Sequence, residues 1–591
     1  MKRNKYVNII IVVGVGVFIL FISTHKFRIN NSLSINYPFN KAVFPNEFPS
    51  PTLKWTDADD NINQWQVSFS INNSGFKIDT ITTLKEWKPG EDDWMNLKKE
   101  AGNKKIICQV QRYRSVSGKF KKAGAGISIS VSEDSAGAPI LYREVVLPFA
   151  FAEANLEKLN YRLVNIGSPD PPFYSMQKFL VCGNCHSFSD DGRSVGLDLD
   201  AAKRDKGGYF IEDISDTIVF DTSNYLSWNK LQNRPTFGMF SKISPDGRYI
   251  VTTIKDRVMN ENYGYGPDAI PFSQIFFPVN GVLAVYDRET KKLKELPGAN
   301  LPGYVQSNAF WSPDGETIYF SRADALPYTT DDSSDIKIYD PEIVRGFMDQ
   351  TREFKFDICK IPFNNGEGGT AEPVKGASAN GRSNYFPAVS PDGKWLIFCQ
   401  AENYMLLMPD SKLFIVPAEG GKARKLKCNL SLMNSWHAWS PNSKWIVFSS
   451  KGLSVYTDMF LAHIDSKGRA SLPVLIENAR ARGMAANYPE FVNIRPDQTF
   501  KMIYNYVNLD HLRYYLNKGD TAMAKDLYQQ YLDQGQFSLY EEYTFLAEFA
   551  YKLKLYSDAE KFANRALEIR PGDKALGYFL FKLKNKINSN K

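Results

Sequence analysis

A four-residue turn recurs down this chain and constrains its fold more than any other feature. Ser-Pro-Asp-Gly stands at 244–247, 312–315 and 390–393, with relaxed copies Ser-Asp-Asp-Gly at 189–192 and Ser-Pro-Asn-Ser at 440–443. Proline presets φ for the second turn position, Asp suits the third and Gly tolerates the fourth. After the turns come apolar strands: Tyr249-Ile250-Val251, Thr317 to Phe320, Trp395 to Phe398 and Trp445 to Phe448. A second strand follows, as at Val282 to Asp287 and Lys412 to Val416, and then a polar turn such as Glu419-Gly420-Gly421-Lys422. A small sheet of this kind cannot bury both faces alone, so copies stack radially. The chain is therefore expected to be mainly β, with residues 136–504 closing as a propeller of about six blades; five and seven are the alternatives. Asn487 to Val492 would open the sixth blade, and a strand from 136–175 would complete it.

The blades resemble the TolB-like propeller repeat over roughly residues 176–500. Turn spacings of 55, 68, 78 and 50 residues exceed the roughly 40–45 residues of a WD repeat. Long loops must therefore project, with Tyr263 to Pro278 and Leu326 to Met348 the candidates, and long loops on a rigid ring are where binding concentrates.

Three further segments flank the ring. Residues 1–30 carry Lys2, Arg3 and Lys5, an apolar run from Val7 to Ile22, then Lys26 and Arg28. This reads as a single-pass anchor in a bacterial inner membrane with the bulk of the chain periplasmic; a cleaved signal peptide is the competitor. Residues 38–135 hold short alternating runs, such as Trp65 to Ile71 and Ile127 to Val131, between turn residues. They resemble a fibronectin type III or immunoglobulin-like sandwich with Trp55, Trp65 and Trp94 in its core. Residues 505–591 change to a period of 3.6 and read as four helices, 512–533, 539–553, 557–569 and 574–586. Ala524, Tyr528 and Tyr531, then Ala559, Ala563 and Ala566, resemble about two tetratricopeptide units, which implies packing on the propeller and a protein or peptide partner.

The net charge of +7, from 72 basic and 65 acidic residues, is spread along the chain. It gives none of the concentrated basic patch that nucleic-acid binding requires. Of six cysteines, Cys108, Cys359, Cys399 and Cys428 are scattered and read as buried free thiols. Cys182 and Cys185 are the exception.

Cys182, Cys185 and His186 form C-x-x-C-H inside the first turn unit. This is the attachment pattern of haem c, in which two thioethers hold the porphyrin and the adjacent His ligates iron. A Cys182–Cys185 disulfide or other structural role is the first alternative. A metal site is the second, but zinc wants four ligands and the chain has five histidines, with His25 beside the anchor and His511 beyond the ring. Candidates for a sixth iron ligand are Met239, His437 and Met176, although Met239 and His437 sit among aromatics and also read as packing. His437 stands as far before Ser440 as His186 stands before Ser189, so the two histidines are expected at matching sites in different blades. Against haem, none of the helices that wrap a cytochrome haem surrounds the motif. VCGNCHSFSDDG at 181–192, the blades and MNSWHAWSPN at 433–442 together look like a family of exported bacterial propeller proteins, TolB-like or cytochrome c-related. That resemblance implies fold and compartment and supplies no mechanism.

Two functions fit. One is a membrane-anchored periplasmic scaffold that binds a protein or glycan through helices and propeller face, with haem c adding electron transfer. The other is a propeller enzyme of the cell envelope, either a haem-dependent oxidoreductase or a hydrolase or lyase acting on peptide or glycan. G-x-S-x-G is missing, since Gly376 to Asn380 fails at its last position, and so are H-E-x-x-H, the P-loop and the Rossmann fingerprint. His-based catalysis would rest on His437 or on His463, which alternates as a structural strand residue. The scaffold is the preferred reading.

Overall fold

The recurrent turn is held by its own side chains. In the second copy, Ser244 Oγ donates to Asp246 Oδ1 at 2.5 Å and accepts the Tyr249 amide at 2.8 Å, while Asp246 Oδ1 also takes the Arg248 amide at 3.1 Å. The same three bonds recur at Ser189, Ser312, Ser390 and Ser440, with Asn442 standing in for Asp in the last. Serine and Asp/Asn are thus as necessary to the motif as its Pro and Gly, because they satisfy amides that the reversal leaves bare.

In the computed structural model, residues 33–589 are described except 73, 115–118, 201–205, 265, 327–339 and 536. The turns join strands into six four-stranded antiparallel blades. Their innermost strands are Cys182–Phe188, Lys242–Ile243, Tyr304–Trp311, Ser383–Val389, Asn434–Trp439 and Met484–Phe491, which define blades 1 to 6 in that order. Each inner strand touches the next, and the sixth touches the first, so the ring is closed. Closure joins distant parts of the chain. Met484–Phe491 pairs antiparallel with Ile140–Val146, setting Met484 against Val146, Asn487 against Arg143 and Phe491 against Ile140. The strand from 136–175 that completes the last blade is therefore Ile140–Val146, followed outward by Asn160–Val164 and Phe173–Gln177. Tryptophans staple neighbouring blades: Trp311 Nε1 donates to Lys242 O at 3.2 Å and Trp439 Nε1 to Ala388 O at 3.1 Å.

Residues 33–131 form a three-stranded and a five-stranded sheet. Trp55, Trp65 and Trp94 are all buried there. Trp94 lies on a helix, Glu91–Ala101, that strand alternation does not announce; three acidic residues in its first turn suit its positive end. Asp134, just after this region, docks it on blade 5: Trp445 Nε1 donates to Asp134 O at 3.0 Å, and His463 Nε2 meets Asp134 Oδ2 at 2.7 Å. His463 is thereby a tether between blade 5 and the first unit.

Three expectations need correction. The helix expected over 512–533 is two, Leu509–Asn517 and Thr521–Gln534, because Gly519 takes φ +79° and Asp520 caps the second through the Met523 amide at 3.0 Å. With Tyr540–Lys552, Tyr556–Ile569 and Lys574–Ser589 the segment has five helices. The loop expected at Tyr263 to Pro278 is largely strand, since Tyr249–Asn262 and Gln274–Asp287 run on as a long hairpin with Asn262 opposite Gln274. The stretch Leu326 to Met348 carries a helix, Pro341–Met348, capped by Asp340, and its residues 327–339 lie outside the described ones. So does the expected anchor over 1–30; among the described residues no helix is long and apolar enough to cross a membrane.

The C-terminal helices are tied to blade 1. Lys501–Tyr504 pairs in parallel with Thr217–Phe220, and His511 Nε2 donates to Phe179 O at 2.9 Å.

Two glycines of one motif separate turn geometry from ring packing. Gly192 and Gly393 both have φ +71°, but a Cβ on Gly192 would lie 2.0 Å from Asn493 O in blade 6, whereas one on Gly393 meets nothing within 4 Å. Gly393→Ala is expected to cost about 1 kcal/mol, the left-handed penalty alone. Gly192→Ala should cost about 3 kcal/mol or more by also prising blade 1 from blade 6. Thermal melts of the two variants make the comparison.

Candidate functional site

The inner strands carry a second repeat. Pairing with the next strand slips by one residue in blades 1, 3, 4, 5 and 6, the signature of a β-bulge, which re-aims a side chain. Asn308, Phe386, Trp436 and Tyr488 sit there in left-handed conformation, φ 49° to 57°, and Phe240 joins them in blade 2 at 59°. Such conformations cost non-glycine residues about 1 kcal/mol or more each. The return is that their side chains converge on the axis, where Phe240 and Phe386 meet with ring centroids 5.5 Å apart. Phe240, Trp436 and Tyr488 border both openings of the channel, so they divide it into a mouth on the turn side and a chamber on the other.

Blade 1 breaks this pattern. Phe240, Asn308, Phe386 and Trp436 each precede their turn serine by four residues, and Cys185 holds that place before Ser189. Its bulge falls one residue earlier, leaving His186 in regular register with Leu197, whereas His437 falls within the bulge of blade 5. The two histidines expected at matching sites therefore have different surroundings.

The chamber encloses a cavity of about 130 Å³ that opens to solvent. Cys182 and Cys185 lie on its wall, as do Arg143 from blade 6, Asp198 and Asp200 from blade 1, and Lys451 from blade 5. Arg143 Nη2 approaches Cys182 Sγ to 3.9 Å. Burial pushes the Cys182 thiol up to about 11, against the lowering effect of Arg143; burial pushes Cys185 higher still. Both are thiols, not thiolates, at neutral pH. Asp198 accepts the Ser241 amide at 3.2 Å through Oδ2, while its Oδ1 has no partner, and burial pushes its carboxyl up to about 8. Asp200 is ion-paired with Lys206. Lys451 Nζ donates to Ile270 O and Pro271 O, both at 2.8 Å, and burial draws its ammonium down to about 8. Ile270 and Pro271 belong to the tip of the long hairpin, so the expected projecting element does reach the chamber, bringing Ser273, Gln274 and Phe276 to its wall.

His186 stands apart from this chamber. It is buried, packed against Tyr161, Phe188 and Tyr488 with centroids 5.8, 5.7 and 5.3 Å away. Neither ring nitrogen has a hydrogen-bond partner, and burial holds the imidazole neutral. Adjacent strand residues face opposite ways, which puts the Cys185 thiol in the channel and His186 between blades 1 and 6. A porphyrin held by both thiols would lie in the chamber, on the far side of the strand from His186. Haem c with His186 as iron ligand does not fit the side chains as they stand. Of the sixth-ligand candidates, Met239 lines the chamber with the thiols. Met176 is in the outermost strand of blade 6. His437 opens on the turn-side mouth, with Nδ1 3.8 Å from Cys399 Sγ and its pKa drawn by burial to about 4. Among the described residues no three His, Cys, Asp or Glu side chains gather as a metal site, and Cys108, Cys359, Cys399 and Cys428 are buried thiols.

The channel-facing residues Arg143, Asp198 and Lys451 have no motif. The signal that could have found Cys185, Phe240, Asn308, Phe386 and Trp436 together was their common distance from the turn serine.

Two outcomes follow. Alkylation of Cys182 by iodoacetamide should be slow at pH 7, rise toward pH 11, and slow further in Arg143→Gln, because losing the guanidinium raises the thiol pKa; peptide mass spectrometry reads the rate. Purified from cells competent to mature c-type cytochromes, the protein should be colourless. A Soret band surviving denaturation would show that blade 1 rearranges around haem.

No protein-family model matches the chain, and no curated protein matches it. Solved structures similar to it include a putative TolB from Agrobacterium tumefaciens, at 14% identity over 61% of this chain and 99% of that one, TM-score 0.31. A periplasmic gluconolactonase from Pseudomonas aeruginosa matches at 13% identity over 60% and 99%, TM-score 0.30. An oligogalacturonate lyase in complex with manganese matches at 13% over 51% and 70%, TM-score 0.31. The β-propeller fold itself is read from the closed ring of blades described above.

Proposed function

We propose that this chain is an exported, membrane-anchored binding protein that seats a small ligand in the axial chamber beside Cys182 and Cys185. The observation that carries this reading is the convergence of groups from several blades on one roomy, mostly apolar hollow, with the aromatic divider of Phe240, Trp436 and Tyr488 as its floor. Concave, largely apolar hollows with a few placed polar groups are where small molecules bind. Left-handed Leu406 and Leu407, φ 62° and 57°, also line it, and strain of this kind clusters at ligand clamps.

The anchor and the periplasmic address rest on the basic-apolar-basic order of residues 2–28. The C-terminal helices, tetratricopeptide-like in their small-residue spacing, serve as the protein-docking arm. Tyr578 and Phe581 on the last helix are 59% and 62% exposed, the kind of surface a partner peptide covers. The thiol pair is a wall element of the chamber. Haem-based electron transfer does not enter this reading.

Two measurements test it together. Alkaline phosphatase fused after Val507 should be active in a bacterial host, and native mass spectrometry of the full chain from its own envelope should show a bound small molecule lost in Leu407→Arg, which fills the hollow. An inactive fusion, or an unliganded chain indistinguishable from Leu407→Arg, would reject it.

A further inference from the structure

The two openings of the channel treat their buried cations differently. On the turn side, Lys242 from blade 2 reaches Glu490 from blade 6, at 2.9 and 2.8 Å to the two carboxylate oxygens. That charge is neutralised. On the chamber side, Arg143 and Lys451 are each only 7% exposed, and neither has a carboxylate partner among the described residues. Arg143 Nε has no hydrogen bond at all; its other close polar neighbour is the Cys182 sulfur. Lys451 is held by two backbone carbonyls, which orient an ammonium without cancelling its charge.

The fold brings these two cations to one side of the chamber. Arg143 is the ladder partner of Asn487. Asn487 Oδ1 accepts Thr457 Oγ1 at 2.5 Å, and the Ala486 amide donates to Thr457 O at 2.9 Å. Thr457 and Lys451 bound the same connection between Trp445–Ser450 and Asp458–His463 in blade 5. The acidic groups of the chamber do not offset the pair. Asp200 is taken by Lys206, and burial keeps the Asp198 carboxyl largely protonated at neutral pH. Glu153, an exposed carboxylate, is held by the Asn262 side-chain amide at 3.1 Å and ion-paired with neither cation among the described residues.

A buried charge without a counter-ion is costly, and a ligand that supplies the counter-ion recovers that cost on binding. Beyond the two cations the wall is aromatic and aliphatic, with Phe149, Phe237, Phe276 and Trp436. We propose that the chamber is selective for small organic carboxylates, the carboxylate lying between Arg143 and Lys451 and an apolar or aromatic body lying against Phe237, Phe276 and Trp436. This rests on the chamber being the ligand seat. An arginine fork suits a planar carboxylate, and the lysine adds a point charge.

The test uses three naphthalene probes of one shape on the full chain: 2-naphthoate, 2-naphthalenemethanol and 2-naphthylmethylammonium, followed by quenching of tryptophan fluorescence and by calorimetry. The naphthoate should bind at least about tenfold more tightly than the alcohol, and the ammonium more weakly than either. Arg143→Gln and Lys451→Met should each remove about tenfold or more of the naphthoate affinity and leave the alcohol unchanged. Lys451→Met keeps the test decisive should Arg143→Gln fail to fold, because its stem packs alike while its charge is gone. Equal binding of all three probes would overturn the carboxylate assignment and leave the chamber as a ligand seat. Failure of every probe to bind would overturn both.

Discussion

Everything else in this molecule depends on one antiparallel ladder, Ile140–Val146 against Met484–Phe491. Without it, Met484–Phe491 would have no ladder partner and the faces of blades 1 and 5 that flank blade 6 would lie open to water. With it, blade 6 is complete, the ring closes, and a chain of more than 300 residues between the two strands is held by its ends. The same ladder sets Arg143 opposite Asn487 and thereby fixes one wall of the chamber. The N-terminal sheets and the C-terminal helices then attach to a body that is already closed, on blades 5 and 1 respectively.

Closing a ring of twisted sheets leaves a hole at the axis, and this chain fills it at the cost of backbone strain. Five inner strands place a non-glycine residue in left-handed conformation, and four of the five are aromatic. The bulge geometry turns those rings inward, where they pack edge to face and split the channel. The strain persists because the blades on both sides over-determine it. Blade 1 alone has no such residue at the axis; a cysteine stands there instead, and the chamber opens next to it.

The electrostatics sort the two halves of the channel. A buried ion pair, Lys242 with Glu490, spans the turn side. The opposite side holds a guanidinium beside the Cys182 sulfur and the Phe149 ring, and an ammonium held by two carbonyls. Removing charges from water is repaid only by a partner of opposite sign or by a shift to the neutral form. Asp198 has taken the second route, and Lys451 part of it. An arginine has no such route, since its guanidinium stays charged in proteins, so Arg143 is the group for which a ligand matters most.

The sequence by itself determined the repeating unit. Ser189, Ser244, Ser312, Ser390 and Ser440 announce the turns, apolar strands follow them, and the repeat count points to about six blades, with five and seven as alternatives and a strand from 136–175 as the closing piece. These are local matters, decided within a few residues by φ preference and side-chain-to-amide bonds. The helix break at Gly519-Asp520 is equally local, but the continuous 3.6 periodicity over 512–533 masked it, and the helix at Glu91–Ala101 was hidden behind strands on either side. The tertiary structure alone decided the site. Nothing near Arg143 or Lys451 in the chain says that they line one chamber, because only closure of the ring brings their blades together. His186 and Cys185 are neighbours in sequence, and the motif treats them as one unit; a one-residue shift of the bulge in blade 1 parts them to opposite sides of a strand. Side-chain direction in a sheet has a period of two, so a slip that leaves the sequence motif intact reverses what the motif can hold.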